Sequence, residues 1–65
     1  MRNKERLIRA AYTHSDELGK EVEALAASGP TPERLGRLRR LVNEQFGNDA
    51  ELVYGTVLSV LYPPN

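Results

Sequence analysis

Residues 13 to 17 read THSDE and set the only histidine of the chain beside a serine and an aspartate. These are the residue types of a Ser-His-Asp relay. Consecutive positions cannot build one, because adjacent side chains on a helix project about 100° apart and the two successive hydrogen bonds do not close. A metal site is the next chemistry to weigh. His14, Glu17 and Glu21 share one helix face, and helical di-iron centres use carboxylates with a Glu-x-x-His spacing. Here that order is reversed and there is one histidine per chain, while the lack of cysteine counts further against zinc. Phosphorylation of His14, as on the dimerisation helix of a kinase, has only an analogy of shape behind it. The sequence therefore predicts no enzyme, no cofactor and no metal, with His14 packed or hydrogen-bonded at a helix contact.

Two basic groups form the second constellation: Arg2, Lys4, Arg6 and Arg9, then Arg34, Arg37, Arg39 and Arg40. Both could meet phosphates, and a nucleic-acid-binding regulator using Arg34, Arg37 and Arg40 is the alternative function. The competing expectation is electrostatic pairing within the fold. If the segments flanking residues 29–31 pack antiparallel, RLGRLRR lies beside Asp16, Glu17, Glu21 and Glu23, each contact contributing about 0–1 kcal/mol and favouring one register. A helix-turn-helix through Gly47 fares poorly, because the helix that follows it holds no Arg, Lys, Asn or Gln, the side chains that read base edges.

The elements that must position these residues follow from punctuation and periodicity. SGPTPE, residues 28–33, offers Gly29 as a stop, Thr31 as an N-cap and Pro32 at the first helical position. FGND, residues 46–49, repeats the logic with Gly47 as stop and Asn48 or Asp49 as cap, Glu51 reaching back. The closing YPPN ends the last helix, since proline donates no backbone hydrogen bond. The result is an all-α fold, one domain over 1–65 with helices at about 3–28, 32–46 and 49–62. In the first helix Leu7, Ala11, Leu18, Val22 and Leu25 fall within an arc of about 80°, a phase that carries through Thr13, His14 and Ser15. One unbroken helix of about 39 Å is expected. Its rival is a break with Thr13 or Ser15 as a cap. Gly19 is a soft spot costing about 1 kcal/mol relative to alanine. The second helix sets Leu35, Leu38, Leu41, Val42 and Phe46 against Arg37, Arg40 and Glu44 on its far side, an ordinary amphipathic pattern.

The third helix differs. Ala50, Val53, Tyr54, Val57, Leu58, Val60 and Leu61 span about 160° of its circumference, and the remainder (Glu51, Leu52, Gly55, Ser59, Tyr62) is almost free of charge. A β-strand fits less well, because Val53–Tyr54 and Val57–Leu58 are adjacent pairs that break strict alternation. A chain of 65 residues has a thin core and usually needs a disulfide, a metal or a partner subunit. Without cysteine, the partner is the expectation: the third helix completes a bundle by dimerisation, or docks on another protein. Gly55 and Ser59, at small-xxx-small spacing, permit close approach. The partner-binding residues expected are Leu52, Tyr54, Gly55, Ser59 and Tyr62, in a small regulator, adaptor or co-chaperone. Nine basic and nine acidic residues cancel, which disfavours partners chosen for bulk charge. Without an apolar run of about 20 residues or a signal-peptide pattern, no membrane partner and a cytoplasmic location are expected.

Overall fold

The structure, a computed structural model, describes residues 3–64. Four α-helices follow in order: α1 (Asn3–His14), α2 (Asp16–Ser28), α3 (Pro32–Phe46) and α4 (Ala50–Leu61), with a 3-10 turn at Gly47–Asp49. No strand occurs among the described residues. None of their helices is long and apolar enough to cross a membrane.

The single helix expected over 3–28 is instead two, divided at Ser15. That residue is extended (φ −165°, ψ 151°), and its hydroxyl oxygen accepts a hydrogen bond from the Leu18 amide at 3.1 Å while donating to Gln45 Oε1 of α3 at 3.0 Å. A serine cap of this kind contributes about 1 kcal/mol. Asp16 and Glu17 add negative charge at the positive end of α2. Thr13, His14, Ser15 and Asp16 are weak helix formers, so little propensity opposes the break. The phase of the apolar stripe did not reveal it, because a helix interrupted for one residue resumes with its face almost in register.

Breaking the rod gives the chain a fourth wall. The molecule measures 28 × 25 × 18 Å, and α1 folds back on α2 and also touches α4. Val22, Leu25, Leu38 and Val42 have no exposed surface, and Ala11, Leu18, Leu41, Ala50, Val57 and Leu61 complete the core. Every helix contributes to it. Full burial of one such aliphatic side chain stabilises by about 1.5–3 kcal/mol.

Gly19 is not the soft spot that helix propensity suggests. It is buried, and a β-carbon placed there would lie within 3.0 Å of Tyr12 Cγ, Cδ1 and Cδ2. The missing side chain is the seat of the tyrosine ring, which lets α1 and α2 approach closely across a one-residue joint. The Tyr12 hydroxyl then donates to Glu23 Oε1.

The remaining ends follow local chemistry. Gly29, at φ 84°, closes α2 with its amide on the Leu25 carbonyl, a backbone angle that glycine adopts without cost. Thr31 Oγ1 accepts from the Arg34 amide at 3.1 Å, and Pro32 opens α3. The cap expected from Asn48 or Asp49 does not form through a side chain. A backbone bond from the Ala50 amide to the Gly47 carbonyl in the 3-10 turn takes its place.

Candidate interaction surface

α4 turns Ala50, Val57 and Leu61 into the core and packs Val53, Tyr54, Leu58 and Tyr62 against its margins. Its far side carries Leu52, Gly55, Thr56 and Ser59, all exposed. Leu52 is 72% exposed and is the one large hydrophobic side chain so placed among the described residues. Nothing lies within 4 Å of a β-carbon built on Gly55, so the backbone there is open to close approach. Thr56 Oγ1 donates to the Leu52 carbonyl at 2.8 Å.

The two tyrosines expected on this surface are committed elsewhere. The Tyr54 ring lies under the Arg39 guanidinium, whose central carbon stands 4.7 Å from the ring centroid; such a contact is worth about 0.5–1 kcal/mol at an exposed site. Arg39 also reaches Glu51 at 3.8 Å, so one arginine ties α3 to α4. The Tyr62 hydroxyl donates to the Leu25 carbonyl at 2.9 Å, anchoring the end of α4 to α2. Burial raises the Tyr62 pKa above its ordinary value.

Beside the α4 facet runs a groove of about 270 Å³ between α1 and α4. Leu7, Ala10 and Ala11 form one wall, Val53 and Val57 the other, with Leu18 and Val22 beneath and His14 and Phe46 also lining it. The His14 and Phe46 rings stack at 4.4 Å between centroids and 20° between planes. His14 therefore does sit at a helix contact, against an aromatic ring. Leu52 precedes the groove-lining Val53 by one residue and stands about 100° around the helix from it. An exposed apolar knob and an apolar hollow thus neighbour one another.

The charged residues mark a separate seam. Arg37 Nη1 lies 3.8 Å from Glu21 Oε2, the one α2–α3 ion pair of the antiparallel register that the sequence suggested. The other Glu21 oxygen is buried without a hydrogen-bond partner. Arg37 and Arg40 line a shallow cleft with Glu17, Glu21 and Glu44, while Arg34 is half-buried near the start of α3. The arginines are thus interleaved with carboxylates, and no purely basic face forms from Arg34, Arg37 and Arg40. His14, Glu17 and Glu21 do not converge: no group of three or more His, Asp or Glu side chains among the described residues is arranged to hold a metal ion. On the α1–α2 face, the hydrogen bond to Glu23 raises the Tyr12 pKa, with burial and the charges of Glu23 and Asp16 adding to it.

No protein-family model, curated protein or solved structure matches this chain. The class is therefore defined by the fold alone: a small all-α globule. Sequence reasoning named Arg39 and Phe46 without their partners Tyr54 and His14, and it missed the groove. Phe46 carried a signal, since it is the one phenylalanine of the chain and sits at the last turn of α3. The groove carried none, because it exists only once α1 folds back.

Proposed function

We propose that the chain is a non-enzymatic helical interaction module that pairs through the outer facet of α4 and the groove beside it, with a second copy of itself as the occupant that fits. One observation carries this reading: Leu52, the single large hydrophobic exposed among the described residues, stands next to a groove whose walls are apolar. A two-fold pairing places each Leu52 against the other copy's groove, the self-complementary arrangement of an isologous interface. Gly55 and Ser59 supply the small residues that let two backbones approach, and a net charge of zero removes long-range repulsion between copies. A standard interface buries about 800 Å² per partner, roughly a sixth of the 4516 Å² surface of the chain.

The polar residues that could have served catalysis have structural duties. Ser15 caps α2 and binds Gln45, and His14 stacks on Phe46. Burial of the exposed part of Leu52 stabilises by about 1–2 kcal/mol per copy, hence about 2–4 kcal/mol for the pair. Light scattering on Leu52→Asp and Ser59→Asp variants tests the proposal. The expected result at micromolar concentration is a folded chain that no longer pairs through α4, with self-association weakened at least about thirtyfold for Leu52→Asp. Association equal to that of the unaltered protein overturns it.

A further inference from the structure

The joint between α1 and α2 invites a second and independent mode of pairing. We propose that α1 exchanges between two copies: Ser15 adopts helical angles, residues 3–28 become one continuous helix, and each α1 docks on the α2 and α4 of the other copy. Four observations support this. The apolar stripe of Leu7, Ala11, Leu18, Val22 and Leu25 keeps its phase across the joint, so a straight helix presents one seam. The joint is a single residue with neither glycine nor proline from Tyr12 to Leu18, and helical bonds continue up to it from both sides, Ser15 N–H to the Ala11 carbonyl at 2.9 Å and Gly19 N–H to the Ser15 carbonyl at 3.0 Å. Straightening gives the amides of Asp16, Glu17 and Leu18 backbone acceptors in place of the one side-chain cap at Leu18. Finally, the contacts that hold the hairpin join residues on opposite sides of Ser15 and close to it, Tyr12 with Gly19 and with Glu23.

That last point decides the geometry. Two straight helices running antiparallel and crossing near residue 15 bring Tyr12 of one copy to Gly19 and Glu23 of the other. The exchanged pair therefore keeps the packing of the lone chain and changes only the joint, the condition under which swapping costs little. The open seat at Gly19 is what allows two backbones to cross closely there. This mode uses neither Leu52 nor the outer facet of α4, so it stands or falls apart from the proposed function.

The test uses molar mass together with a distance. The chain has no cysteine, so spin labels on Lys4→Cys and Ala27→Cys, in labelled chains diluted with unlabelled ones, report one intrachain separation. With α1 folded back on α2 that separation is less than the straight-helix length, which is about 35 Å. Ser15→Ala removes the cap and the bond to Gln45, and is expected to tighten exchange about thirtyfold, the effect of a lost cap in each of two chains. Asp16→Pro is expected to block exchange, because proline suits the first position of α2 but not the interior of a helix. The proposal is upheld by a dimer with the long distance in the unaltered protein at millimolar concentration or in Ser15→Ala, absent from Asp16→Pro. It is overturned by a short distance in every dimer found, by monomers in both former samples, or by the same long-distance dimer in Asp16→Pro. Should Ser15→Ala fail to fold, the unaltered protein against Asp16→Pro gives the same decision.

Discussion

Gly19→Ala separates the physics of the isolated helix from the physics of this fold. In an exposed helix, replacing glycine by alanine stabilises by about 1 kcal/mol. Here the new methyl group falls within 3.0 Å of Cγ, Cδ1 and Cδ2 of Tyr12. Cγ stands one bond from Cβ, so the clash is relieved only by a change of the Tyr12 χ1 rotamer, which carries the whole ring off Gly19, or by a shift of α1. Overpacking of this kind costs about 1–3 kcal/mol. Displacing Tyr12 also breaks the hydroxyl bond to Glu23, another 0.5–1.5 kcal/mol or about that. Set against the helix gain, the net effect is a loss centred near 2 kcal/mol, or a Tm lower by about 8–16 °C in a domain of this size. Thermal unfolding by circular dichroism measures it, at one fixed protein concentration because any self-association shifts Tm. The double-mutant cycle gives the sharper result. With Tyr12→Ala in place the clash is gone, and Gly19→Ala is expected to stabilise by about 1 kcal/mol. A higher Tm for Gly19→Ala alone, or the same change in both backgrounds, refutes the close-approach argument.

Three further outcomes follow from the same contacts. Tyr62→Phe deletes the bond to the Leu25 carbonyl and is expected to cost about 0.5–1.5 kcal/mol in chemical denaturation; no change would mean that water replaces the hydroxyl. Tyr12 and Tyr62 both have pKa values raised above 10.0 in the fold, so the folded state holds their protons more tightly than the unfolded chain. Their contribution is complete below pH 10 and is lost as pH rises through the elevated folded values. Urea midpoints should therefore fall on the alkaline side of pH 10, less steeply in Tyr12→Phe, and a midpoint that climbs there contradicts the assignment. Because Arg37, Arg39 and Arg40 have carboxylates close by, no binding to mixed single-stranded and duplex nucleic acid is expected at low salt, and an affinity falling steeply with ionic strength would show that phosphates outcompete those partners.

Much of this fold was legible from local chemistry. Gly29, Thr31 and Pro32 announce the end of α2 and the start of α3, Gly47 ends α3, and Pro63 follows the end of α4, because each acts through its own backbone geometry. The periodicity of Leu38, Leu41 and Val42 likewise identified core positions that the structure buries. What stayed hidden depends on groups distant in sequence. A cap at Ser15 is legible as the rival to the long helix, but its bond to Gln45, thirty residues away, is not, and neither alters the apolar phase. Gly19 reads as a weak helix residue until Tyr12 is seen to occupy its missing side chain. Arg39 on Tyr54, His14 on Phe46 and Tyr62 on the Leu25 carbonyl are all tertiary contacts with no signature in spacing. Of the surface expected on the last helix, Leu52, Gly55 and Ser59 are exposed while Tyr54 and Tyr62 are engaged within the chain. α1, folded back on α2, covers part of α4 that a straight rod would leave bare, and Leu52 stays exposed beyond it.

The most direct measurement of what covers Leu52 is an isotope-filtered nuclear Overhauser experiment on an equal mixture of labelled and unlabelled chains. Self-pairing through the α4 facet predicts intermolecular cross-peaks from the Leu52 methyl groups to those of Ala10 and Val57, and their disappearance in Leu52→Asp. A self-associated sample in which Leu52 shows no contact with the other copy, or one that stays a single chain at millimolar concentration, contradicts it.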